Sequence, residues 1–117
     1  MKALHIIGAG GFGRELHSWA RQHPDHGVVW EIAGFLDDNL ASLEPFGGFA
    51  PVRPLTGHRP SAEGLYLNGL AVPELKKKLL PPLVSSGARF LTFAHPLARV
   101  GERVVLGHGA VLCPGAI

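Results

Sequence analysis

Residues 6 to 15 read IIGAGGFGRE, and this stretch decides how the first part of the chain folds. Gly8, Gly10 and Gly13 have the G-x-G-x-x-G spacing of a turn that carries a buried strand into a helix around a ligand. The apolar run Lys2 to Ile7 ahead of it predicts a parallel strand. Behind it, Phe12, Leu16, Trp19 and Ala20 recur at helical spacing, with Arg14, Glu15, Arg21 and Gln22 on the opposite side. That pattern predicts an amphipathic helix of about three turns. The helix should stop at His23-Pro24, because a residue before proline avoids the helical region.

Outward from this unit, Trp30 to Leu36 (WEIAGFL) reads as a second buried strand closed by the acidic pair Asp37-Asp38. Strand, glycine turn, helix and strand make a βαβ unit with a right-handed crossover. Residues 44 to 61 are dense in glycine and proline and read as an irregular loop with a short edge strand at Val52-Arg53. Leu65 to Asn68 is expected as a third core strand. Pro73 suits the first turn of a helix over Glu74 to Leu80, which Pro81-Pro82 should break or kink. Gly87 ends that segment, and Arg89 to Phe93 (RFLTF) is expected as a last strand before His95-Pro96. The fold class is therefore α/β, a small Rossmann-like parallel sheet with flanking helices.

From Val100 the pattern changes to blocks of six: VGERVV, LGHGAV and LCPGAI. Each opens on an aliphatic residue (Val100, Leu106, Leu112) and has a slim residue fifth (Val104, Ala110, Ala116). A period of six with those two features is that of a parallel β-helix, with the aliphatic turned into a narrow triangular core. Three blocks make one coil, and a single coil buries too little to stand alone. The chain thus reads as the front of a longer protein, a sheet domain over 1–96 and the start of a truncated β-helix over 97–117.

Composition narrows the function classes. With 117 residues, 46% of them hydrophobic and 17% charged, the chain can bury one core and is not a disordered tail. The formal charge of +2 is spread thinly, and Lys76-Lys77-Lys78 reads as a solvated helix face, so no nucleic-acid partner is expected. The single cysteine, Cys113, cannot form an internal disulfide and suits a reducing cytosol. It occupies the small second place of its block and reads as packing rather than as a nucleophile. The early apolar run is too short for a signal peptide or a membrane span, and a cytoplasmic location is expected. Among the seven histidines, His23 and His26 flank a turn with no ligand pair nearby, so no metal is expected. His95 and His108 sit at the domain junction and a repeat corner and read as structural or exposed.

IIGAGGFGRE, GFLDD (34 to 38), the LNG turn (67 to 69), FAHP (93 to 96) and the blocks from Val100 share their order and spacing with a known family. The chain resembles bacterial sugar acetyltransferases of the sialic-acid O-acetyltransferase and UDP-aminosugar N-acetyltransferase type. The resemblance implies a Rossmann-like nucleotide-sugar-binding domain followed by a left-handed β-helix of hexapeptide repeats. It implies substrate contacts at Gly10, Gly11 and Phe12, at Asp37 and Asp38 on a uridine or sugar, and at Gly69 on the facing loop. Many members carry histidine where Phe12 stands; phenylalanine leaves a ring to cover the substrate or to pack under the helix. Acetyl-CoA would bind between β-helices of a homotrimer, and the general base would be a histidine on a later coil. No residue of this chain is then catalytic, and its expected ligand is a UDP-sugar or related sugar.

The residues themselves agree with that site. Glycines let backbone approach a phosphate, and free N–H groups at a helix start favour an anion by roughly 0.3–1 kcal/mol. Carboxylates at the C-terminal end of a strand sit in the crevice where α/β sheets bind ligands. Two other readings stay open. Asp37 lies where an acidic residue would hold a ribose hydroxyl, as in an NAD(P)-binding fragment of an oxidoreductase. A non-catalytic truncated module that regulates a partner through an open β-helix edge is the other.

Overall fold

The computed structural model describes residues 1–95 and the backbone of residues 111–112. The expected blocks around Val100 and Leu106, and the expectations for His108 and Cys113, lie outside the described residues.

Strand β1 (Lys2–Ile7) leads through the glycine turn into helix α1 (Gly11–Gln22), and β2 (Trp30–Leu36) follows. Edge strand β3 (Val52–Arg53), strand β4 (Gly64–Asn68) and helix α2 (Pro73–Ser85) come next. The four strands form one all-parallel sheet in the order β3-β2-β1-β4. The chain builds outward from β1 through β2 to β3 and then crosses back to place β4 on the other side of β1. The direction of winding reverses between β1 and β4, which is the topological switch point of this class of sheet.

Alternation along the strands divides the core into two layers. Leu4 and Ile6 of β1, Phe35 of β2 and Leu67 of β4 pack with Leu16 and Ala20 of α1. Ile7, Leu36 and Tyr66, one position out of phase, pack with Leu83 of α2 and with Ala88 and Phe90. One helix thus lies on each face. α1 ends as its sequence predicts: the His23 N–H bonds to the Ala20 carbonyl at 3.1 Å, and His23 adopts the extended backbone that Pro24 requires.

Two expectations are corrected. Helix α2, expected over Glu74 to Leu80, spans Pro73–Ser85 and is not broken at Pro81-Pro82. Both prolines fall close to its end, where the helix has few bonds left to lose, and its exposed side leaves the freed carbonyls to water. The continuation puts Leu83, the one buried residue of α2, into the core beside Ile7, Leu36 and Tyr66. The stretch 89–93 is also not a fifth strand of the sheet. Only Phe90 bridges Tyr66, flanked by bonds from the Tyr66 N–H to the Arg89 carbonyl and from the Leu91 N–H to the Tyr66 carbonyl. Strand β5 is Phe93–Ala94, paired in parallel with β6 (Val111–Leu112) in a separate two-stranded sheet. Among the described residues, no helix is long and apolar enough to cross a membrane.

Candidate functional site: the crevice between β1 and β4

At the switch point the C-terminal ends of β1 and β4 present two glycine turns to each other. Gly8 leaves β1 with φ +92°, a conformation that disfavours any side chain. Its N–H still bonds to the Leu36 carbonyl at 2.9 Å, so the sheet holds the turn's first residue. Across the crevice, the Gly69 N–H bonds to the Ile7 carbonyl at 2.8 Å, and the Asn68 side chain accepts from the Leu70 N–H at 2.9 Å. Gly13, Gly8 and Gly69 then meet backbone to backbone. A Cβ on Gly69 would lie 2.7 Å from the Ile7 oxygen, 2.9 Å from Gly13 Cα and 3.1 Å from the Gly8 oxygen. A Cβ on Gly13 would run into the Gly8 carbonyl. Gly69 therefore forms the buried wall of the crevice, and close packing alone demands glycine there.

Gly10 and Gly11 are exposed, and nothing stands within 4 Å of where a Gly10 Cβ would be. Gly10 caps α1 with extended backbone and without a side-chain hydrogen bond. The first intrahelical bond is donated by Arg14 to the Gly10 carbonyl, so among the described residues the N–H groups of Gly11, Phe12 and Gly13 have no partner. These are the orphan donors of a helix start. The Arg14 guanidinium adds a cation, with one nitrogen 3.9 Å from the Gly11 Cβ position. Phe12 does not project into the crevice as an isolated ring. It is half-buried against the α1 side of the core, edge-on to Trp19 at 6.2 Å.

The two aspartates have separate tasks. Asp37 reaches back 28 residues, where one carboxylate oxygen accepts the Ala9 N–H at 2.9 Å, and the other accepts the Asn39 N–H at 2.9 Å. It braces the glycine turn by taking the N–H of Ala9, between Gly8 and the Gly10 cap. Asp38 turns the other way and staples the β2 end to the segment after β3. It accepts the Thr56 hydroxyl at 2.6 Å and the Thr56 N–H at 2.8 Å. The Thr56 hydroxyl and then its N–H hold the Asp38 carboxyl below its usual value. The structure thus sets Gly69 against Gly8 and Gly13, ties Asp37 to Ala9 of the same turn, leaves Gly10 and Gly11 exposed at its outer side and draws Asp38 toward Thr56.

Histidines that sequence reading passed over occupy both faces of the sheet. His17 is buried in the α1 layer, stacked on Phe35 at 5.4 Å. On the other face His5 stacks on Tyr66 at 5.2 Å, and His58 Nε2 lies 2.6 Å from the Tyr66 hydroxyl. Burial lowers the pKa of His5, His17 and His58 and raises that of Tyr66. His58 also lines a 210 Å³ cavity with Leu55, Thr56, Lys78 and Leu83, between α2 and the turn after β3. A signal for His17 was present: it follows Leu16 and precedes Ala20 by three, on the apolar side of α1. His95, expected to be structural or exposed, is buried with its Nε2 2.8 Å from Gln22 Oε1. No group of three or more metal-ligating side chains occurs among the described residues.

No family model matches the sequence, and comparisons with curated proteins and with solved structures return no significant match.

Proposed function

We propose that this chain is the substrate-binding N-terminal part of an acetyl-CoA-dependent sugar acetyltransferase, acting on a nucleotide-linked or surface-polysaccharide sugar. The observation that carries the reading is the pairing of β5 with β6. Phe93 pairs with Val111 and Ala94 with Leu112, in parallel, each partner eighteen residues on. Eighteen residues are three blocks of six, the length of one turn of a triangular parallel β-helix. A β-helix whose first strand is Phe93–Ala94, a few residues ahead of the boundary at 96 read from the sequence, accounts for that offset and for the block pattern from Val100 together.

The crevice supports the other half of the reading. A diphosphate would lie over Gly10 and Gly11 against the N–H groups of Gly11, Phe12 and Gly13, with Arg14 as the nearby cation. Asp37 acts as the brace that shapes the turn, Gly69 as the opposing wall, and Asp38 as a loop staple at the rim. The acyl donor, acetyl-CoA, supplies the thioester, and no residue of this chain is proposed to take part in the transfer itself. A homotrimer and a cytoplasmic setting belong to the same proposal.

The NAD(P) alternative draws on Asp37 at the end of β2, the place for a ribose-binding carboxylate. Each Asp37 oxygen accepts one backbone N–H and keeps a lone pair for a further donor, so the hydrogen bonds alone do not separate the two readings. Thermal unfolding with UDP, a UDP-sugar, NAD and acetyl-CoA separates the readings. UDP-type ligands at about 100 times their dissociation constant should stabilise the fold by about 2.7 kcal/mol, with no effect of acetyl-CoA on this chain. A shift with NAD and none with UDP overturns the assignment.

A further inference from the structure

The segment between the turn ending at Phe46 and the start of β3 lies across α1 like a strap. Its ends are anchored: Leu43 is buried in the core, and the Phe35 N–H bonds to the Pro51 carbonyl at 2.9 Å. Between those anchors Gly47 and Gly48 are exposed. Two aromatic residues and one hydrogen bond hold the strap down. Phe46 lies beneath the Arg14 guanidinium at 4.1 Å, and Phe49 stands edge-on to His17 at 5.0 Å. The Ala50 N–H donates to His17 Nε2 at 3.2 Å.

That bond requires His17 to be neutral with its proton on Nδ1. Protonation would put a second donor against the Ala50 N–H, inside a site where His17 is only 4% exposed. Among the described residues, the groups around His17 offer the cation no counter-charge. Arg21 on α1 and His26 in the following turn act against it, β2 presents Phe35, and the strap presents Phe49 and an amide. We propose that residues 46–50 form a pH-sensitive strap, latched over α1 by neutral His17 and released when His17 is protonated. Release uncovers the ring of Phe35 and frees Arg14 from Phe46, so the strap sets where the cation beside the α1 N-terminus points. The latch works without any ligand; its effect on an anion rests on the crevice reading above.

NMR titration of the ligand-free chain from pH 7.5 to 5 tests this. The Gly47, Gly48, Phe49 and Ala50 amide signals should move with the midpoint of the His17 ring, and Ala50 should lose protection from hydrogen exchange over the same range. In His17→Gln the side-chain oxygen can still accept the Ala50 N–H but cannot titrate, so the strap signals should stay constant. An Ala50 amide that stays protected while His17 protonates overturns the proposal, and the wild-type titration decides this even where H17Q fails to fold. A folded H17Q chain that releases the strap at the wild-type pH overturns it equally.

Discussion

Replacing Asp37 by alanine separates a brace from a ligand contact. In the folded chain one Asp37 oxygen receives the N–H of Ala9, a residue with no exposed surface, and the other receives the exposed Asn39 N–H. Asp37→Ala leaves the N–H of fully buried Ala9 without its partner. An orphaned buried donor costs about 1–3 kcal/mol, and a bond to a charged acceptor lies toward the upper part of that range. The Asn39 N–H can turn to water and adds little. The expected loss is about 2–3 kcal/mol, a large share of the roughly 5–15 kcal/mol available to a domain. With a slope of about 1.5 kcal/mol per molar urea, the unfolding midpoint of the ligand-free chain should fall by about 1.3–2 M. Asp37→Asn keeps an oxygen for Ala9 without the charge and should lose about half as much. A carboxylate that served only a bound sugar would leave the ligand-free midpoint unchanged. A D37A midpoint within about 0.3 M of wild type therefore refutes the brace.

Three further outcomes follow from the same geometry. Gly69→Ala places a methyl group against three backbone atoms and should cost about 1–3 kcal/mol; an unchanged melting temperature would show that the crevice wall can move. Leu83→Ala removes the buried anchor of α2 and should cost about 2–4 kcal/mol, with helical circular dichroism lost from the turn that carries Pro81 and Pro82. His5, His17 and His58 are all held below the usual histidine value of about 6.5, mainly by burial. The native chain then binds fewer protons than the unfolded one just below that value. This contribution to stability is present in full above about pH 6.5 and is lost as pH falls through the lowered native values. Urea midpoints should fall steadily from pH 7 toward pH 5, and a flat profile would contradict the burial of these rings.

The sequence by itself determined the elements whose cause is local. Apolar runs marked β1 and β2, the prolines around Val52-Arg53 marked β3 as an edge strand, and helical spacing ended by Pro24 marked α1, because side-chain period and backbone restriction act within a few residues. The glycine spacing marked the turn for the same reason. Tertiary structure alone decided which groups that turn has free. Asp37 takes the Ala9 N–H from 28 positions away, and His17 takes the Ala50 N–H from 33, pairings that exist only once β2 lies beside β1 and the segment before β3 lies against α1. It also decided that α2 runs past two prolines, since burial of Leu83 against Ile7, Leu36 and Tyr66 outweighs a local tendency to stop. Propensity is set by neighbours in the chain, whereas desolvation and hydrogen-bond competition are set by neighbours in space.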